Sequence, residues 1–335
     1  MNFPRAAHRG SERAKVLFIR LSSLGDIVLT AHISRKLKEL FPLFEITWLT
    51  ESPYEALAPA MPWLDRVLTW NRRQGTVGFL KLISRIREEK FDILMNLQDN
   101  DRTAVLTLLS GIPLKIGYHR HFQCVYHQDI YAVLGQLGIP PCLEKSIRSS
   151  LVRPAGPSPL SGLWDKGRFP HGVALAIGAS KERKRWPAAG WAELANFLSK
   201  KNCLCLLVGS GEEEKRMADE ISRRCAGANV LNVVNRFSLL QLFQVLADVH
   251  LVIAADTGPL HMARALGTPV IALFGPTSLS VAYTQSFNKV VCTPCEKMGC
   301  LDWKCTLPCM ERISPESVEA AARALLEELA HKGER

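Results

Sequence analysis

Three short stretches set charged or hydroxyl side chains beside glycine or proline at the ends of apolar runs. In SSLGD, Ser22, Ser23 and Gly25 let the backbone come close to a ligand, Gly25 because it lacks a Cβ. Asp26 stands at the start of the helix that follows. A carboxylate there can cap the helix, worth about 1 kcal/mol. It can also take the proton of an attacking hydroxyl, worth about 10²–10⁴ in rate. In SKERKRWP, Lys181, Arg183, Lys184 and Arg185 crowd the end of an apolar run. They form either a solvated basic loop or a fixed cation at a ligand site. A fixed cation stabilises a departing diphosphate more in the transition state than in the ground state. In residues 251–276, Asp256 ends a run, Thr257-Gly258-Pro259 opens a helix and His261 falls in its first turn. Proline suits the first helical position, Gly267 closes the helix and Pro269 bars its continuation. The free N–H groups and dipole of that helix start suit an anion, typically a phosphate. His261 reads equally as a structural residue of the first turn.

The elements that must hold these groups alternate. Apolar runs at 15–21, 45–49, 66–70, 91–97 and 115–118 read as strands. Between them lie helical stretches at 27–41, 54–61, 79–89 (Leu80, Ile83 and Ile86 at helical spacing) and 102–110. VRPAGPSPLSGLWDKGRFPHG, rich in Pro and Gly, then breaks the pattern. A second alternation follows, with strands at 173–177, 203–208, 230–233, 251–255 and 270–274. Its helices fall at 186–200 (Trp191, Leu194, Ala195 and Leu198 on one face), 212–224, 239–247 and 315–329, the last with Ser314 as N-cap. This is the pattern of α/β domains with parallel sheets. The expected division is a disordered basic tail at 1–14, an N-terminal domain at 15–155 and a linker at 156–171. A C-terminal domain at 172–335 follows, with a cysteine-rich loop at 292–309 and a last helix. Two such domains make a cleft between their strand-end loops.

With 335 residues the chain is long enough for about two cores. No apolar run approaches the roughly 20 residues of a membrane span, and the N-terminus lacks the apolar centre of a signal peptide. The expected location is the cytoplasm. The formal net charge of +10 calls for an anionic partner: nucleic acid, an anionic membrane or a phosphorylated substrate. Aromatic stacking clusters and recognition motifs are lacking, which argues against a nucleic-acid binder. No GxGxxG follows a first strand, which argues against a nicotinamide-dependent oxidoreductase. Of ten cysteines, Cys124, Cys142, Cys203, Cys205 and Cys225 are scattered; Cys292, Cys295, Cys300, Cys305 and Cys309 share one loop. A disulfide framework does not suit a cytosolic chain. The five could hold zinc or an iron–sulfur cluster, but no second CxxC is present and a reduced, partly buried loop is the expectation. Asp99-Asn100-Asp101 has the form of a metal-binding DxD but belongs to a different fold, so no metal is expected there.

RLSSLGDIVLT (20–30), KRWP (184–187) and ADTGPLHMARALGTPVIALFGPT (255–277) resemble glycosyltransferase family 9. Its best-known members are the ADP-heptose:lipopolysaccharide heptosyltransferases. The motifs occur in order, and smaller matches extend the resemblance over most of the chain. It implies the GT-B architecture of two facing Rossmann-like domains. The implied activity is inverting transfer of heptose from ADP-heptose to the inner core of lipopolysaccharide, with no cofactor beyond that donor. A same-fold enzyme with another nucleotide sugar or a surface-polysaccharide acceptor is the nearest alternative. The resemblance makes Asp26 the catalytic base and Lys184 the phosphate-contacting lysine, with Ser180 a supporting hydroxyl. It places Ser23, Gly25, Asp256, Thr257, Gly258 and His261 around the donor, Asp256 on sugar hydroxyls or orienting the turn. Glu212 matches a glutamate that holds the ribose, in a register blurred by the two glutamates after it. Phe237 matches a residue packing on adenine, or serves the core. Arg102, Lys115, His119 and Arg120 form a basic patch suited to the acceptor's carboxylates and phosphates, or a solvated face. The implied partner is a lipopolysaccharide core lipid at the inner face of the cytoplasmic membrane, met by a monomer, with no nucleic acid.

Overall fold

The computed structural model describes residues 13–139, 151–225, 227–277, 288–293, 295, 299–302 and 305–333. The expected basic tail lies almost wholly outside them, as do Cys142 and parts of the cysteine-rich loop. The chain divides into two compact units, Met1–Val152 and Arg153–Arg335.

The first unit builds one parallel sheet. Its strands are β1 (Lys15–Ile19), β2 (Glu45–Glu51), β3 (Arg66–Trp70), β4 (Ile93–Asn96), β5 (Leu114–Gly117) and β6 (Gln128–Asp129). Their order is β3-β2-β1-β4-β5-β6, every pair parallel. Helices α1 (Leu24–Leu40), α2 (Gly75–Glu89) and α3 (Asp101–Leu109) lie in the crossovers, and α4 (Ile130–Gln136) follows β6. Consecutive residues Val16 to Ile19 are all buried, because helices cover both faces of such a sheet. The order reverses between β1 and β4, and α/β sheets bind ligands at that switch point, beyond the carboxyl ends of the strands.

The second unit repeats the plan. Its strands are β7 (His171–Ala176), β8 (Cys203–Val208), β9 (Val230–Asn232), β10 (Leu251–Ala255), β11 (Val270–Phe274) and β12 (Asn288–Cys292), ordered β12-β11-β10-β7-β8-β9 and all parallel. Helices α5 (Ala188–Lys200), α6 (Glu212–Arg224), α7 (Leu239–Asp248), α8 (Gly258–Leu266) and α9 (Pro315–Gly333) connect and flank them. Here the switch point falls between β7 and β10. Trp191, Leu194, Ala195 and Leu198 of α5 are fully buried, as their spacing indicates.

Several expectations need correction. Leu80 is exposed; the buried face of α2 is Leu82, Ile83 and Ile86. At about 100° per residue, Leu80 falls roughly a third of a turn from that face. Strand β6, helix α4 and strand β12 were not expected. Strand β6 has two residues, too few for a periodic signal, and β12 is half-buried throughout. The Pro- and Gly-rich stretch has no helix or strand before β7, yet Leu160 and Trp164 within it are buried. Trp164 lies on Gly172, where a Cβ would come within 2.6 Å of its ring. Arg153 pairs with Asp248 at 2.7 Å.

Candidate active site

In the second unit the loops after β7 and β10 carry two of the three motifs, and they meet. Lys184 ends a short 3₁₀ turn, Glu182–Lys184. Its Nζ donates to Asp256 Oδ2 at 2.9 Å and to the Asp256 carbonyl at 3.1 Å. On the other side, His261 Nε2 lies 3.2 Å from Asp256 Oδ1. Asp256 therefore joins a cation and an imidazole, with both carboxylate oxygens engaged. The two side chains of the ion pair are 17% and 12% exposed. Burial alone would raise the Asp256 pKa; the hydrogen bonds from His261 and Lys184 and the lysine's charge outweigh it and hold the carboxyl well below its ordinary range. His261 is buried, and its Nδ1 has no hydrogen-bond partner among the described residues.

Helix α8 starts beside this group. Thr257 is its N-cap, with extended backbone, and Gly258 and Pro259 occupy the first turn. The Thr257 hydroxyl donates to the Ala255 carbonyl at 3.2 Å. Gly267 ends the helix at φ +82, a left-handed cap that glycine favours.

The rest of the basic loop is tied down. Arg183 Nη2 donates to the Leu307 carbonyl at 2.5 Å. Arg185 Nε donates to the Ala179 carbonyl at 3.0 Å and its Nη2 pairs with Glu213 at 2.5 Å. Trp186, fully buried, donates from Nε1 to the Ile313 carbonyl at 2.9 Å. Ser180 is exposed on the same loop.

The three glutamates opening α6 separate by position. Glu212 is exposed, Glu213 pairs with Arg185, and Glu214 folds inward. Glu214 Oε2 accepts the Ser210 N–H at 2.6 Å. Its carboxylate lies over Gly178, where a Cβ would fall 1.8 Å from Oε1, and against Gly209. Burial pushes its pKa up, against the pull of the Ser210 N–H and Arg185. Spacing alone did not single out Glu214. Phe237 is half-buried between β9 and α7.

The first unit gathers charge at its own switch point. Asp26 sits in the first turn of α1 and does cap it: Oδ2 accepts the Ser23 N–H at 3.1 Å and the Ser23 hydroxyl at 3.0 Å. Arg20 Nη2 reaches the same oxygen at 2.9 Å. The Asp26 side chain stays 46% exposed. Gln98, beyond β4, accepts the N–H groups of Leu21 and Ser22 at 3.2 and 3.3 Å. Arg72 pairs with Glu51 at the end of β2 and lies 3.5 Å from the Ser22 hydroxyl. Burial raises the Glu51 pKa even so. Arg20, Glu51, Arg72 and Gln98 were not singled out from the sequence; their shared signal is a position at or just past a strand end.

The four expected acceptor residues do not form one patch of free charges. Arg102 is exposed in the first turn of α3, close enough to act on Glu51. Lys115 lies within β5, paired in register with Leu94, and its N–H donates to His127 Nδ1 at 3.0 Å. His119 is buried and organises its loop: Nδ1 accepts the N–H groups of His121 and Phe122 at 3.1 and 3.0 Å. That leaves the proton on Nε2, which lies 3.2 Å from Asp101 Oδ1 without hydrogen-bond alignment. Arg120 pairs with Asp99 at 3.4 Å. In the DxD-like segment, Asn100 caps α3 by accepting the Thr103 N–H at 2.9 Å.

No group of three or more His, Cys, Asp or Glu among the described residues could hold a metal ion. The described cysteines are unpaired thiols. Burial pushes Cys203 up to about 11, and Cys205 well above its ordinary value.

Residues 165–311, which include the Lys184–Asp256–His261 group, match the model of glycosyltransferase family 9 (heptosyltransferase). Lipopolysaccharide heptosyltransferase 1 of Pseudomonas aeruginosa is 26% identical over 93% of this chain and 98% of its own length. The chain is thus similar to glycosyltransferase family 9, by family model over residues 165–311 and by relatives over most of its length. Among solved structures, the family 9 glycosyltransferase of Veillonella parvula superposes with a TM-score of 0.82 at 20% identity, over 95% of this chain and 98% of that one. Heptosyltransferase WaaC of Escherichia coli, solved with ADP-2-deoxy-2-fluoro heptose, gives 0.68 at 18% identity over 92% and 99%. The fold is thus the two-unit, Rossmann-like α/β arrangement the sequence implied.

Proposed function

We propose that the chain transfers heptose from ADP-heptose, with inversion, to the inner core of lipopolysaccharide. The observation that carries this reading is the division of charge between two switch points. One holds a half-exposed carboxylate; the other holds a lysine, a helix start and a buried histidine around Asp256. An inverting transfer needs both kinds of site: a base for the acceptor hydroxyl and cations or N–H dipoles for the departing diphosphate. Asp26 is assigned as the base. Lys184 and the first-turn amides of α8 meet the charge on the leaving ADP. Asp256, with both oxygens taken by protein groups, orients Lys184 and His261. Glu214, not Glu212, is assigned to the ribose, because it alone of the three glutamates folds over the ends of β7 and β8. WaaC's ADP-heptose analogue supports a donor of the same class.

The acceptor side belongs to the first unit, which carries Arg102, Arg120 and His119 near its strand ends. The finer reading is a monomer working at the inner face of the cytoplasmic membrane. The +10 charge supports contact with an anionic membrane surface.

Thermal-shift measurement across ADP, UDP, GDP and CMP sugars tests the donor. Selective stabilisation by ADP sugars is expected. Selective stabilisation by UDP or GDP sugars would defeat the heptose assignment and leave the fold untouched.

A further inference from the structure

We propose that Arg20 is a positioning residue for proton transfer: by fixing Asp26 through Oδ2, it leaves Oδ1 as the oxygen that takes the acceptor's proton. This rests on the reading of Asp26 as the base. The guanidinium is held at both ends. Nη1 donates to the Leu97 carbonyl, just past β4, and Nη2 lies 2.9 Å from Asp26 Oδ2. At 14% exposure the arginine side chain has little room to reorient.

Three donors converge on Oδ2: Arg20 Nη2, the Ser23 N–H and the Ser23 hydroxyl. No hydrogen bond or ion pair among the described residues engages Oδ1. Asp256 provides the contrast within the same chain. Its Oδ2 takes Lys184 and its Oδ1 takes His261, so neither oxygen is left open. The backbone between Arg20 and Asp26 is fastened as well, since Gln98 accepts the N–H groups of Leu21 and Ser22. One carboxylate is therefore locked on one oxygen and open on the other. That is the preorganisation a positioned base requires, where a misplacement of about 1 Å can cost about 10²-fold.

The step balances without a further reagent. Oδ1 binds the hydroxyl proton as the acceptor O–H bond breaks. The freed oxygen pair bonds to the anomeric carbon. The bond from that carbon to the diphosphate breaks, and its electron pair leaves with ADP. Arg20 keeps its protons throughout.

A purely structural Arg20, tying β1 to the β4 loop, would cost the same with or without Asp26. A double-mutant cycle separates the two roles, using the full chain, ADP-heptose and a lipopolysaccharide core lacking heptose. Arg20→Ala is expected to lower kcat about 30-fold while the donor KM stays within about twofold. Arg20→Lys, which can supply one contact of the two, should recover part of the loss. In the Asp26→Ala background, Arg20→Ala should cost less than about twofold more. An equal loss in both backgrounds, or wild-type kcat in a folded Arg20→Ala, overturns the proposal. If Arg20→Ala does not fold, Arg20→Lys is carried through the same cycle with the same criteria. If Asp26→Ala alone keeps near-normal turnover, the base assignment falls and takes the Arg20 proposal with it. A loss on Asp26→Ala without coupling removes Arg20 alone.

Discussion

Asp26 and Asp256 both follow strands at switch points, and the uses proposed for them differ with their surroundings. Lys184 is the shared element of the second site, holding Asp256 and facing the place assigned to diphosphate. Lys184→Ala should raise the donor Michaelis constant and lower kcat together, because the cation acts in both the ground state and the transition state. Unchanged steady-state kinetics would remove it from the site. Asp256 also makes a pH prediction. Its folded-state pKa lies below the ordinary 3.8, so the folded protein binds fewer protons there than the unfolded chain. The stabilisation it gives is therefore present above that value and fades as pH falls below it. Asp256→Asn should destabilise the protein by about 1–3 kcal/mol near neutral pH. The gap to wild type, followed by denaturant unfolding, should narrow at acid pH. A gap independent of pH would mean that the carboxylate's charge is not what stabilises the group.

At the scale of elements, close backbone approaches decide what each loop presents. Gly178 gives up its Cβ space to the Glu214 carboxylate. Gly178→Ala should push that flexible carboxylate aside, weaken ADP binding by about tenfold in calorimetry and leave the thermal midpoint nearly unchanged. Full ADP affinity in the variant would take Glu214 out of the donor site. At the opposite ends of β7 and β10, His250 accepts the Gly172 N–H at 3.2 Å beneath Trp164. Burial first, then His171 and Lys166, lower its pKa below the ordinary 6.5. The folded state then binds fewer protons there than the unfolded chain, and stability is lost as pH falls through and below 6.5. His250→Gln should flatten the pH dependence of unfolding between about pH 7 and pH 5. An unaltered slope would assign that dependence to other groups.

Much of this was legible in the residues. Strands β8, β10 and β11 fall where their apolar runs put them, because a fully buried strand shows as a continuous run, and β3 and helix α6 also keep their expected bounds. Two of the four edge strands were not legible: β6 is too short and β12 too mixed. Asp26 in the first unit, and Lys184, Asp256 and His261 in the second, were legible as types at strand ends. The Lys184–Asp256 pairing was not, since 72 residues separate the partners. Nor was the choice of Glu214 over Glu212, which depends on helical phase against Gly178 and Gly209. Arg20 stayed silent for a similar reason. It lies just past β1, and only the structure shows its guanidinium turning to Asp26.

Across the whole molecule, one plan is used twice. Both units order their strands as two halves meeting at a central reversal, and both place their motif loops there. On the proposed function the same fold supplies two different chemistries, set by the loops and not by the sheets. In the first unit the loops present a half-exposed carboxylate; in the second they present a cation, a helix start and an imidazole around an acid. The measurement that bears most directly on this division is the single-turnover rate of the Asp26→Ala protein with ADP-heptose and a lipopolysaccharide core lacking heptose, alongside its affinity for ADP. ADP affinity close to wild type, with heptose transfer lowered at least about 100-fold, is the expected result. Transfer at a near wild-type rate would contradict the assignment of the base to the first unit.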